Sequence, residues 1–180
     1  NFVDITTTFD HSYNVIDNIG EELLVMTNEG ASRQRLVSIN SSAPAKENWK
    51  EIIPERAEVL NSVTFVGGKL FASYMKDASS MITIHSVDGK QTGEVALPGI
   101  GTASDINGKK DDKTAFYTFT SFIYPTTIFK YDSETNKSEA FRKSEVDFDP
   151  SGYETKQVFF NSKDGTRVPM FIVHKKGLKM

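Results

Sequence analysis

The chain has 180 residues, of which 38% are hydrophobic and 25% charged, the balance of an ordinary globular protein of about one domain. A net charge of -3 argues against a nucleic-acid or anionic-membrane surface, which carries a basic excess. The absence of cysteine excludes disulfide scaffolds, cysteine zinc sites, iron–sulfur clusters and thiol catalysis, and no apolar run approaches the ~18 residues that span a bilayer.

The chain opens on Asn1-Phe2-Val3-Asp4-Ile5-Thr6, with no Met, basic segment or apolar signal core. It starts as if inside a strand, and Lys175-Lys176-Gly177-Leu178-Lys179-Met180 stops without a closing element. Both ends are expected to be cuts in a longer chain. Helical periodicity is nearly absent. Ala45 to Trp49 and Glu55 to Leu60 are one- or two-turn candidates beside Pro44 and Pro54.

β-rich runs recur instead. Leu23 to Met26, Arg35 to Ile39, Val63 to Val66, Leu70 to Met75 and Met81 to Ile84 come first. Ala115 to Phe119, Thr127 to Tyr131, Lys156 to Phe160 and Val168 to His174 follow. Asn28-Glu29-Gly30, Gly67-Gly68, Asp88-Gly89, Asn107-Gly108 and Asp164-Gly165 supply turns between them. Short strands with a turn every ~8–12 residues predict an all-β sandwich, barrel or propeller.

The pattern repeats, and the repeat selects the propeller. Strongly apolar strands start at Leu23, Leu70 and Ala115, and third strands end at Asn40, Asp88 and Asp132. Short return strands follow at Trp49 to Pro54, Gly93 to Pro98 and Ser138 to Arg142. Four strands in ~40–50 residues make one propeller blade. The apolar strands, Ala115 to Phe119 among them, are expected to bury both faces, because a blade lies between two neighbours. Phe2 to Ile5 then reads as the return strand of an earlier blade. Residues 1–142 are therefore three blades and a stray strand. Residues 143–152 form an acidic linker, and residues 153–180 begin a second domain with a long hairpin.

Local chemistry yields no catalytic, cofactor-binding or metal-ligating residue. There is no Gly-x-Ser-x-Gly elbow. Asp10-His11-Ser12 has the residue types of a triad, but consecutive residues cannot converge as one, so it reads as a turn. His85 is expected on a blade surface and His174 at a satisfied strand end. Asp147-Phe148-Asp149-Pro150-Ser151-Gly152 opens like a calcium loop but has Val158 in place of the bidentate Glu. Gly67-Gly68-Lys69, Gly89-Lys90, Gly108-Lys109 and Gly99-Ile100-Gly101 lack the residues of a phosphate or dinucleotide loop and read as hairpin turns. Asn40-Ser41-Ser42 and Asn136-Lys137-Ser138 fit the glycosylation pattern without more. The aromatics from Phe116 to Tyr131 read as blade core, not a base-stacking platform.

Thr118-Phe119-Thr120-Ser121-Phe122-Ile123-Tyr124-Pro125 resembles the Phe-Thr-Ser-Phe-x-x-Pro signature in the last propeller blade of prolyl oligopeptidases. Tyr153 to Phe159, followed by Ser162 to Gly177, resembles the start of that family's hydrolase domain. Upstream, Thr27 to Ala31, Arg35 to Val37 and Trp49 to Glu55 fit as well. Phe122 and Lys156-Gln157 favour the proline-specific branch over the oligopeptidase B branch.

The resemblance implies an α/β-hydrolase with a Ser-Asp-His triad, capped by a seven-bladed propeller that admits only short peptides, which are cut after proline. The partners it implies are the remainder of the parent chain and proline-containing peptides, in the cytoplasm or periplasm. No triad, oxyanion-hole or proline-pocket residue of the family falls within this sequence, so the chain alone is expected to be inactive. The open blade faces also predict self-association. Two alternatives remain: a non-catalytic propeller binding module, and a related oligopeptidase of different specificity.

Overall fold

A computed structural model describes residues 3–178. Among the described residues fourteen strands form three four-stranded antiparallel sheets and one hairpin. Blade 1 comprises β1 (Tyr13–Ile19), β2 (Glu22–Thr27), β3 (Arg35–Asn40) and β4 (Lys50–Ile53). Blade 2 comprises β5 (Val59–Val66), β6 (Lys69–Lys76), β7 (Ser79–His85) and β8 (Gln91–Glu94). Blade 3 comprises β9 (Thr102–Ala103), β10 (Thr114–Ser121), β11 (Tyr124–Asp132) and β12 (Lys137–Lys143). In each blade the strands pair in chain order, as a meander of short turns dictates. The register shifts between the third and fourth strands of all three blades, at Leu36/Val37, Ile84/His85 and Ile128/Phe129. A bulge at that place increases the local twist.

The blades stack through two apolar layers. Between blades 1 and 2 lie Leu24, Met26, Leu36, Ile53, Leu60, Val63, Leu70, Ala72 and Tyr74. Between blades 2 and 3 lie Val66, Phe71, Ile82, Ile84, Ile106, Ala115, Tyr117, Phe119, Phe129 and Tyr131. β6 feeds both layers, because successive side chains leave opposite faces. Leu70, Ala72 and Tyr74 point one way and Phe71 the other, all at 0–1% exposure.

The turn between β7 and β8 fixes how closely blade 2 meets blade 1. Gly89 sits at φ +88°, and a Cβ there would lie 1.8 Å from the Ile52 carbonyl oxygen. Only glycine accepts both the left-handed backbone and that approach.

Several expectations change. Val3 to Ile5 form no strand, and Phe2 lies outside the described residues. Ile5 instead packs beside Val25, Val37 and Ile39, with Tyr13 and Trp49, on the outer face of blade 1. Of the helix candidates, the first is a 3-10 turn at Lys46–Asn48. The second is extended, because Glu55 accepts the Arg33 N–H at 2.6 Å and the Leu60 N–H donates to the Arg33 carbonyl. The third strand of blade 2 ends at His85, short of Asp88, and Asp88 accepts the Ser86 hydroxyl in the turn. Gly99-Ile100-Gly101 belongs to the connection between blades 2 and 3 and is no hairpin turn.

β10 also departs from expectation. Ala115, Tyr117 and Phe119 are buried, whereas Phe116 is 36% exposed. The strand alternates because no described element covers that face. Phe116 meets Phe141 edge-on there, with centroids 5.3 Å apart.

β13 (Tyr153–Asn161) and β14 (Arg167–Lys175) form the hairpin. Nine cross-strand pairs run from Tyr153↔Lys175 to Asn161↔Arg167. A 3-10 turn at Pro150–Gly152 precedes it, with Asp149 as its cap.

Candidate functional site

The three histidines show how the fold consumes its titratable groups. His11 lies exposed with Asp10 and Ser12 ahead of β1, and the Ser12 N–H donates to Asn28 Oδ1 at 2.8 Å. No triad geometry arises. His85 is buried at 5% exposure, which corrects the expectation of a surface position. It pairs across the ladder with Leu70, so it shares the face turned toward blade 1. Its Nδ1 lies 2.9 Å from the Gly89 carbonyl and its Nε2 2.8 Å from Thr83 Oγ1. A carbonyl only accepts, so Nδ1 carries the proton and Nε2 accepts the Thr83 hydroxyl. Both nitrogens are used, and no lone pair is left to act as a base.

His174 is buried on β14, paired across the hairpin with Glu154. Its Nδ1–H donates to the Lys175 carbonyl at 2.9 Å. Its Nε2 has no hydrogen-bond partner and faces Glu154 Oε1 at 3.6 Å, beyond hydrogen-bond range. The expected satisfied strand end is therefore only half satisfied. The sequence hid this, since the contact depends on the hairpin register.

The calcium-like loop spends its carboxylate on the backbone. Asp149 accepts the Ser151 N–H at 2.9 Å and the Ser151 hydroxyl at 2.8 Å. The backbone bond from Ser151, and then its hydroxyl, hold the Asp149 carboxyl below the usual carboxylate range. Among the described residues, no group of three His, Cys, Asp or Glu side chains is placed to hold a metal ion.

Two of the concave features formed by the described residues bear on function. One, of about 370 Å³, lies where the hairpin meets blade 3 and is lined by Pro98, Ile100, Phe119, Tyr124, Tyr153 and Lys176, among others. No carboxylate or imidazole lines it, so it offers an apolar seat and one cation rather than acid–base chemistry. The second, of about 310 Å³, is bordered by Asp17 of β1, Val63 to Val66 of β5, and Ile106 to Gly108. The Gly67 and Gly68 N–H groups donate to the Lys109 and Lys110 carbonyls, and Lys110 Nζ lies 3.5 Å from Asp17. The loop before β10 thus ties blade 3 to its neighbour blade 2 and reaches past it to blade 1. Neither feature was legible beforehand, because each joins residues far apart in sequence.

The buried tyrosines are structural. Tyr131 donates to Asn136 Oδ1 at 2.9 Å and Tyr117 to Ser138 Oγ at 3.0 Å. Burial, with the Asp132 carboxylate nearby, pushes the Tyr131 phenol up to about 12.

Stacked four-stranded meanders with apolar layers between them define a β-propeller-type protein. The family described as prolyl oligopeptidase, N-terminal β-propeller domain, matches residues 1–144, and the chain belongs to it. The prolyl endopeptidase of Elizabethkingia meningoseptica is 43% identical over 178 residues, covering 99% of this chain and 25% of that protein. That of Dictyostelium discoideum is 35% identical over 180 residues, covering 93% and 24%. A solved structure from a study of two prolyl endopeptidases and their inter-domain dynamics superposes with a TM-score of 0.87 at 43% identity. The superposition covers 97% of this chain and 26% of that one. The chain thus spans about a quarter of the length of the relatives it matches.

Proposed function

We propose that this chain is part of a proline-specific serine oligopeptidase, in which the propeller restricts the active site to short peptides. The observation that carries the reading is continuity. The likeness to prolyl endopeptidases extends through all three blades and on into the hairpin, over 97% of the chain. On this reading residues 1–142 are blades of a seven-bladed ring, 143–152 a linker, and 153–180 the first strands of the peptidase domain. Among the described residues the candidate groups assemble no nucleophile–base pair. His85 has both nitrogens engaged, and the groove at the junction is lined by no carboxylate or imidazole. An acyl-enzyme needs both nucleophile and base.

The test is a chromogenic peptide assay run with proline and with arginine before the scissile bond. The 180-residue chain is expected to give no turnover with either peptide. The full-length parent is expected to cleave after proline, and a preference for arginine overturns the specificity. A parent that cleaves neither peptide favours a binding module.

The same reading makes the outer face of blade 3 a buried surface in the parent. Phe116 and Phe141, at 36% and 56% exposure, lie uncovered in this chain. Light scattering across a concentration series is expected to show self-association. A monomer at high concentration overturns that expectation.

A further inference from the structure

The Phe-Thr-Ser-Phe stretch from Phe119 to Phe122 and the hairpin residue Gln157 are given no task by the proposed peptidase function. The structure joins them in one arrangement. The hairpin pairs Gln157 with Phe171, so the two side chains share one face. From that face Phe171 meets Phe122 of the turn between β10 and β11, with ring centroids 5.6 Å apart. From the same face the Gln157 side-chain amide donates to the Asp77 carbonyl at 2.6 Å. Asp77 and Ala78 form the turn between β6 and β7. The hairpin therefore rests on two adjacent blades at once, at the turns between their second and third strands.

The two contacts differ in kind. The Asp77–Ala78 turn has φ values of +49° and +60°, the primed geometry that matches strand twist. In such a turn the ladder closes on the flanking residues, Lys76 and Ser79. The Asp77 carbonyl is left to accept from outside. Left-handed φ is costly for alanine, yet this turn keeps it and presents the acceptor. Phe122 is 68% exposed, so it serves no blade core, unlike Phe119 at 1%. A groove lined by Ala78, Ile100, Phe122 and Phe171 runs between the two contacts.

We propose that Phe122 and the Asp77 carbonyl form a two-point latch that seats the β13–β14 hairpin across blades 2 and 3, with Phe171 and Gln157 as its counterparts. The latch sets the orientation of the hairpin against the propeller. It goes beyond the peptidase reading and does not require it. A two-stranded hairpin is only marginally stable by itself, so its protection reports whether it is seated.

Hydrogen exchange of the 180-residue chain, read by mass spectrometry, tests this. Phe122→Ala, Gln157→Ala and the near-isosteric Gln157→Glu, which cannot donate to a carbonyl, are compared with the parent sequence. Each is expected to speed exchange of the β13 and β14 amides roughly 10-fold. The β6 amides, from Leu70 to Tyr74, are expected to keep their rates, which shows that the blades remain folded. Hairpin rates unchanged in both the Phe122 and Gln157 variants overturn the latch. Hairpin and β6 amides accelerating in parallel also overturn it, because the hairpin then does not open as a separate unit. Normal rates in Gln157→Glu with fast rates in Gln157→Ala overturn the hydrogen-bonded half.

Discussion

Blade 2 and blade 3 are built from the same repeat, yet their second strands are buried differently. β6 sends Leu70, Ala72 and Tyr74 into one layer and Phe71 into the other. β10 buries Ala115, Tyr117 and Phe119 but leaves Phe116 open. Both strands are apolar on two faces. The difference lies in what stands beside them. A propeller blade is thus a sheet whose second face is stabilised only by its neighbour.

The largest expected effect tests the doubly covered blade. Phe71→Ala removes a ring at 1% exposure that packs edge-on against Tyr131 at 5.3 Å. It is expected to destabilise the chain by about 3–5 kcal/mol in chemical unfolding. A loss below about 1 kcal/mol breaks the comparison.

Gly89→Ala is expected to cost about 3 kcal/mol. It combines a strained left-handed residue with a backbone clash against Ile52. Thermal unfolding followed by the fluorescence of Trp49 is expected to show the loss as a lower midpoint. A thermal midpoint unchanged in this variant contradicts the close approach.

Acid should act next. The Ser38 hydroxyl, then the Asn40 amide, hold the Glu22 carboxyl below its usual range. Backbone N–H groups of Thr135 and Ser151 do the same for Asp132 and Asp149. Carboxyls lowered in the folded state stabilise it above the unfolded-state values. That stability is lost as pH falls through the folded ones. These carboxyls are therefore expected to make the thermal midpoint drop progressively as the pH falls below about 4. Replacing Glu22 with Gln should flatten part of that drop, and an unaltered profile excludes its contribution.

The smallest effect belongs to the open face. Phe116→Ala removes a partly exposed ring and is expected to cost under about 1 kcal/mol, while reducing any concentration-dependent association. A cost equal to that of Phe71→Ala means the face is covered after all.

The sequence by itself determined the strand order, the blade period and the family resemblance. These depend on local turn chemistry and on side chains alternating along each strand, which short-range pattern encodes. The apolar runs at Leu23, Leu70 and Ala115 fall on β2, β6 and β10, and the last hairpin spans Asp164-Gly165 as its turn chemistry requires. Only the tertiary structure decided which faces are covered, that His85 is buried with both nitrogens bonded, and that His174 keeps one nitrogen without a partner. It also brought Gln157 and Asp77, and Phe122 and Phe171, together. Burial and contact depend on which sheets stack on which. That pairing joins residues as much as 93 positions apart, a distance over which no local pattern carries a signal.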